Sequence, residues 1–298
     1  MFSIKFLIKY ITLFILILPF TGCTARMDIK TDNAQPMLSV YGMITGLEEH
    51  QKITLSSTAP YFSEEENERI TGANVTISGD NGDLWKLYDN DEKGVYKTEN
   101  KYKALAGVNY TLEIVCDFDL DGIAETYTAQ TYMYDEIKID SMKIESFNFM
   151  NKNYFNTLVS VMEPIGKNYY LYRYYVNEEL QLNKISKYYI TDDSMFDGQY
   201  ISNISFGTFH HIKDTIDYDD DRIKNMTFFT PGDKIEIEMS EISKLHYNFI
   251  YQCQKEMSGE NPMFGGPAAN IISNIKGGAC GFFGAFNGGR ATAIVPIE

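Results

Sequence analysis

Stretches in which apolar and polar residues alternate at every second position recur along almost the whole chain. This pattern narrows the fold more than any other feature. Side chains of a strand point to opposite faces in turn, so such a stretch buries one face and wets the other. The alternation runs through 37–45, Lys52–Ser57, 73–77, 84–87, 95–97, 110–115 and 125–131. Clusters of Gly, Asn and Asp separate the stretches, as at 78–82, 91–94 and Asp121-Gly122. Short strands at intervals of about 8–12 residues predict an immunoglobulin-like β-sandwich over 37–135. The Cys…Trp…Cys spacing of antibody domains is absent. Longer strands follow at 139–147, 157–162 and Tyr169–Val176, and they predict a second β-rich domain, sandwich or barrel, over 136–298. One helix is expected near 240–258, capped by Ser240, with Ile242, Leu245, Phe249, Ile250, Cys253 and Met257 at three- and four-residue steps and Gly259 as its stop. The glycines at 277, 278, 281, 284, 288 and 289 are read as turns in packed strands joined by a hairpin. The expected fold class is all-β with one amphipathic helix.

The 298 residues carry 41 acids against 26 bases, a net charge of −15 and a pI near 4.7. Phosphate contacts need clustered Lys and Arg, so nucleic acid is excluded as a partner. Tyr (22) and Phe (19) supply nearly all the aromatic residues, and that apolar content rules out wholesale disorder.

The first 22 residues read as a secretory signal. Lys5 and Lys9 precede an apolar run from Phe6 to Phe20 that is shorter than the roughly 20 residues a membrane span needs. Thr21-Gly22-Cys23 then resembles a bacterial lipobox, although Phe20 stands where the pattern prefers Leu. Cys23 is accordingly the expected attachment site for acyl chains such as palmitate, with 23–36 as a polar tether. Without residues 1–22, 24 bases face 41 acids and the charge deepens to −17, so lipid rather than basic charge must hold the chain to a membrane. Thr24 follows the Cys instead of the Asp of inner-membrane retention, which points to the outer membrane on either face.

Cys116, Cys253 and Cys280 are an odd set at long spacings, unlike a zinc ribbon or a redox pair. Free buried thiols are favoured over a bond between Cys253 and Cys280.

Two segments are candidate sites. Asp117, Asp119 and Asp121 alternate before Gly122, as in the front half of a calcium loop. Thr128 stands where the closing Glu belongs, leaving Glu125 to serve in a shortened site; a plain Asp-Gly hairpin turn is the alternative. No other cofactor is expected. Tyr170, Tyr172 and Tyr174 share one face of a strand, opposite Tyr169, Leu171, Arg173 and Tyr175. Packing inside a sheet is the favoured account, and a platform for glycan or peptide is the reading that exposed rings would support. His210-His211, near 214–221, reads as part of a solvated acidic loop. No Gly-x-Ser-x-Gly or His-Glu-x-x-His appears, so no catalytic residue is assigned and the chain is read as no enzyme.

The order of landmarks carries a family resemblance. From the lipobox onward they are Val40-Tyr-Gly-Met-Ile-Thr45, Ile53-Thr-Leu-Ser-Ser-Thr-Ala-Pro-Tyr61, Gly72-Ala-Asn-Val-Thr-Ile77, Gly94-Val-Tyr96, Ala106-Gly-Val-Asn-Tyr-Thr-Leu112, Ile139-Asp-Ser141, His246-Tyr-Asn-Phe-Ile-Tyr251, Asn261-Pro-Met-Phe264, Ser273-Asn-Ile275 and Gly281-Phe-Phe-Gly-Ala-Phe286. Over nearly the whole mature chain this resembles the Bacteroidota envelope lipoprotein family known as domain of unknown function 4249. The resemblance implies an outer-membrane-anchored accessory or binding module beside a TonB-dependent nutrient transporter, and it brings no catalytic residues. The alternatives are a structural envelope protein without a small ligand and a β-sandwich hydrolase using carboxylates that meet only in space.

Overall fold

The computed structural model describes residues 35–59, 67–181, 183–211, 226–257 and 271–297. Cys23, the tether before residue 35, the charged segment 60–66, the acidic segment 212–225 and Gly259 lie outside the described residues. From Pro36 onward the chain forms one compact unit.

The first strands appear where the alternation places them: β1 (Leu38–Thr45), β2 (Lys52–Ser57), β3 (Asn74–Gly79), β4 (Leu84–Tyr88), β5 (Val95–Thr98), β6 (Asn109–Cys116) and β7 (Glu125–Tyr132). Longer strands follow as β8 (Ile139–Phe149), β9 (Lys152–Met162) and β10 (Tyr169–Val176), then the short β11 (Glu179–Gln181) and β12 (Tyr189–Asp192). β13 (Tyr200–His211), β14 (Phe228–Phe229), β15 (Lys234–Glu241), helix α1 (Lys244–Met257), β16 (Cys280–Phe286) and β17 (Gly289–Ile294) complete the described elements. The all-β class is the observed class, with one α-helix among the described residues.

One continuous eight-stranded sheet, ordered β16-β1-β2-β5-β4-β3-β6-β7, curls around a single core. Val40, Ile53, Ile77, Trp85, Tyr110, Leu112 and Phe283 meet in that core. Its two end strands approach each other through the segment before β16. Thr128 and Lys276 form a bridge, while Asn274 Nδ2 donates to the carbonyls of Gln130 and Phe283. The rest is a sandwich of two sheets, β11-β10-β15-β17 with β12 also on β10, and β14-β13-β9-β8. Phe155, Val161, Tyr172, Phe209, Phe229 and Ile237 fill the space between them.

Three local expectations change. The C-terminal glycine run does not form a hairpin, and the strands on either side of it join different sheets: β16 pairs in parallel with β1, and β17 pairs antiparallel with β15. Residues 136–298 therefore do not make a separate second domain, because 280–286 complete the first sheet. The glycines serve close backbone approach instead. A Cβ on Gly289 would overlap the Ile137 carbonyl, and one on Gly281, at φ +108°, would overlap that of Val40. Ser240 does not cap the helix, since it lies buried in β15. Ser243 takes that role, its Oγ accepting from the His246 N–H at 3.1 Å. Ile242 docks ahead of the helix, its N–H donating to the Tyr169 carbonyl. The buried face of α1 is accordingly His246, Phe249, Ile250 and Cys253, while Leu245 and Met257 are exposed. This face packs on Leu171 of β10 and on Phe282 and Phe286 of β16, between the two halves of the unit.

Candidate functional site

The turn between β6 and β7 gathers four carboxylates. The ladder ends at the pair Cys116 and Glu125, leaving residues 117–124 as the loop, longer than a two-residue Asp-Gly turn. The loop coils on its own side chains. Gly122 N–H donates to Asp117 Oδ2 at 2.9 Å, Asp121 N–H to Asp119 Oδ1 at 3.2 Å, Ile123 N–H to Asp121 Oδ1 at 2.8 Å, and Phe118 N–H to Glu125 Oε2 at 2.9 Å. Each of Asp117, Asp119, Asp121 and Glu125 then offers one carboxylate oxygen, all within 4.8 Å of one another. Like charges so close repel strongly unless a cation sits among them.

Asp117 Oδ1 is shut away from solvent and has no hydrogen-bond partner among the described residues. A buried orphaned acceptor is costly, and a cation would satisfy it. Hard oxygen donors of this kind suit calcium, which takes six to eight oxygens at about 2.3–2.6 Å. Thr128 lies out of reach in β7, paired with Glu113, and Glu125 stands at the mouth of the loop instead. The neighbouring Cys116 thiol is pushed up to about 11 by burial, with Glu125 and Asp117 adding to the shift.

The tyrosine stripe is not an exposed platform. Tyr170, Tyr172 and Tyr174 share a face, as strand alternation requires, but that face is turned into the sandwich and each ring is 5% exposed or less. Burial raises all three phenols above their ordinary pKa. Two of the hydroxyls donate inside the sandwich: Tyr170 to Glu163 Oε1 at 2.6 Å, and Tyr174 to the Phe206 carbonyl. The opposite face holds a charged network. Glu238, 1% exposed, accepts from Arg173 Nη2 at 2.8 Å, from the Tyr175 hydroxyl at 2.8 Å and from Arg290 Nη2 at 3.3 Å. The Arg173 guanidinium lies 3.8 Å from the centre of the Phe286 ring.

A second acidic group has no signature in sequence spacing. Glu163 directly follows β9, while Asp193 and Asp197 lie in the turn between β12 and β13, and their carboxylate oxygens fall within 4.8 Å of one another. Lys167 Nζ reaches Asp193 at 2.8 Å and Asp192 at 3.3 Å. Burial pushes the Asp193 carboxyl up, but the Lys167 ammonium and the Asn168 N–H outweigh it and hold the group below the usual carboxylate range.

The other candidate groups have structural places. Cys116, Cys253 and Cys280 are free thiols. His210 and His211 end β13 on opposite faces, His211 stacking on Phe155 and His210 lying against Tyr154, so neither belongs to a solvated loop.

Residues 24–292 match the family model described as domain of unknown function (DUF4249). No curated protein matches the chain.

Proposed function

The chain belongs to the DUF4249 family, and from that premise we propose that it is a lipid-anchored, non-enzymatic binding module of the outer membrane, acting as an accessory beside a TonB-dependent transporter. The observation that carries this reading is the placing of Cys23. It follows the apolar leader, directly precedes the family match at residue 24, and stands thirteen residues ahead of the compact unit at Pro36. A tether of that length reaches at most about 45 Å, enough to hold the folded unit close to a neighbouring transporter. A binding role also agrees with the state of the groups that do chemistry elsewhere. Burial pushes the Cys253 thiol up to about 11 and the His246 imidazole down to about 3. The first is poorly ionised as a nucleophile, and the second is a weak base.

The test is Cys23→Ser in the native host, with labelled palmitate and purification from native outer membranes. Label on the wild type, none on the variant, and a transporter in the wild-type eluate support the reading. A labelled protein that arrives without any transporter supports the structural-protein alternative instead.

A second reading rests on the Asp117 loop: it holds calcium and stiffens the β6–β7 turn. Asp117, Asp119, Asp121 and Glu125 would be the ligands. Calcium at 100 times its dissociation constant stabilises the fold by about 2.7 kcal/mol, a rise of several degrees in Tm. Asp119→Ala should abolish that rise, each protein being compared with itself with and without calcium. A wild-type Tm indifferent to calcium ends the idea.

A further inference from the structure

Between the two sheets of the sandwich lies a cavity of about 210 Å³. A cavity of about 150 Å³ is enough to take a benzene ring, so this one has room for a single ring and a short arm. Its wall is mostly apolar, including Tyr170 and Tyr172 of β10, Met239 of β15, and Ile204 and Phe206 of β13. It also contains a carboxylate that is almost wholly out of solvent: Glu163, 2% exposed.

β13 is irregular where it forms that wall. Its register against β9 shifts twice, between Ile201 and Ile204 and again between Ser205 and Gly207, and Asn203 sits at φ +52°. A bulge breaks the ladder and re-aims side chains, and bulges gather beside functional sites. Here they re-aim Ile204, Ser205 and Phe206 around the cavity.

Among the described residues, the carboxylate end is short of positive charge. Glu163 accepts from the Tyr170 hydroxyl and from the Gly198 N–H. A carboxylate has about four acceptor positions, so it retains capacity for a further donor. Around it stand the buried Asp193, the half-buried Asp192 and the exposed Asp197, with Lys167 as the one ammonium there among the described residues. Beside Asp193, the buried Asn168 leaves its Oδ1 without a partner among the described residues. An apolar wall with ring faces and an excess of buried negative charge at one end suits one kind of guest.

We propose that this cavity binds a small aromatic molecule bearing a protonated amine, with the ring between the sheets and the ammonium on Glu163. A bare divalent cation fits less well, because Lys167 already holds Asp193 and the remaining wall gives an ion few oxygens. The inference deepens the binding-module reading and rests on it for the premise that the chain carries a ligand.

The test uses the full-length protein purified in detergent, with 2-phenylethylamine as the probe and 2-phenylethanol and 3-phenylpropanoate as its neutral and anionic counterparts. Calorimetry and Tm should show binding of the amine alone. Glu163→Gln should weaken it at least about tenfold, since a hydrogen bond to a charged group is lost. Ile204→Trp, at a half-buried position of the cavity wall paired with the core residue Val159, should also abolish it, so the result does not depend on Glu163→Gln alone. Failure of the amine to bind overturns the proposal, as does equal binding of the alcohol. A response to calcium or magnesium that Glu163→Gln removes, with none to the amine, overturns it in favour of an ion. None of these results touches the anchor and its transporter, which the native purification decides separately.

Discussion

His246 shows how a single side chain ties the stability of this fold to pH. It is 2% exposed, stacks on Phe282 with ring centres 4.7 Å apart, and lies among the apolar residues that join α1 to β16. Burial pushes its pKa down to about 3 from the ordinary 6.5. The folded state therefore favours the neutral ring, while the unfolded chain takes up a proton as pH falls below 6.5. The contribution of His246 is complete above that pH and is lost towards pH 3, at up to about 1.4 kcal/mol per pH unit. Urea midpoints at pH 7 and pH 5 should show the loss. His246→Asn should lower stability at pH 7 but flatten the slope attributable to this residue, and a slope unchanged by the substitution would remove His246 as its source. His246 drew little notice in the sequence because its neighbours along the chain, Leu245 and Tyr247, say nothing of Phe282, which meets it from more than thirty residues away.

Among the secondary-structure elements, β16 is held by a pairing that only glycine permits. Gly281 has φ +108° and faces the Val40 backbone across the parallel ladder. Gly281→Ala should cost more than the about 1–3 kcal/mol of a strained φ alone, because the added methyl must also displace β1. Chemical denaturation should show that loss, whereas Gly278→Ala, whose Cβ would meet nothing within 4 Å, should cost only the φ strain. These elements also mark what was legible in advance. β1 to β7 were readable because half-buried strands betray themselves by alternation and their turns by Gly and Asp. The Asp117 loop was readable because its four carboxylates lie within nine residues of chain. The pairing of β16 with β1 was not, because the partners lie about 240 residues apart and a glycine written for close approach looks like one written for a turn. The same limit hid Glu163, Asp193 and Asp197, which meet from two loops with no common spacing. For the tyrosine stripe, alternation told which rings share a face and favoured their packing inside a sheet, as observed, but it did not name Phe155 and Phe209 as the residues that share their core.

For the molecule as a whole, the last strands decide how the two halves behave. β16 ends at Phe286 in the curled sheet and β17 begins at Gly289 in the sandwich, so Asn287 and Gly288 alone span the step between them. Asn287 Nδ2 also reaches the Tyr134 carbonyl at 3.4 Å, in the segment where the chain first leaves the curled sheet. The apolar cluster of Leu171, Ile242, Phe249, Phe282 and Phe286 then draws on β10, α1 and β16 together. Separating the halves would expose that cluster and pull on the two-residue link between β16 and β17, which makes a state with one half folded costly. We expect one cooperative unfolding transition. The single tryptophan, Trp85, is buried in the curled sheet between Tyr102 and Tyr110, with both ring centres 5.2 Å away, so its fluorescence reports that half. Tyr96, Tyr110 and Tyr127 are buried in the curled sheet and Tyr170, Tyr172 and Tyr174 in the sandwich, so the near-ultraviolet signal of the tyrosines reports both halves. The two signals should lose amplitude at the same urea concentration and with the same steepness. Midpoints that separate would mean that β16 and β17 leave the halves free to unfold alone, and the boundary near residue 135 would then be a domain boundary after all.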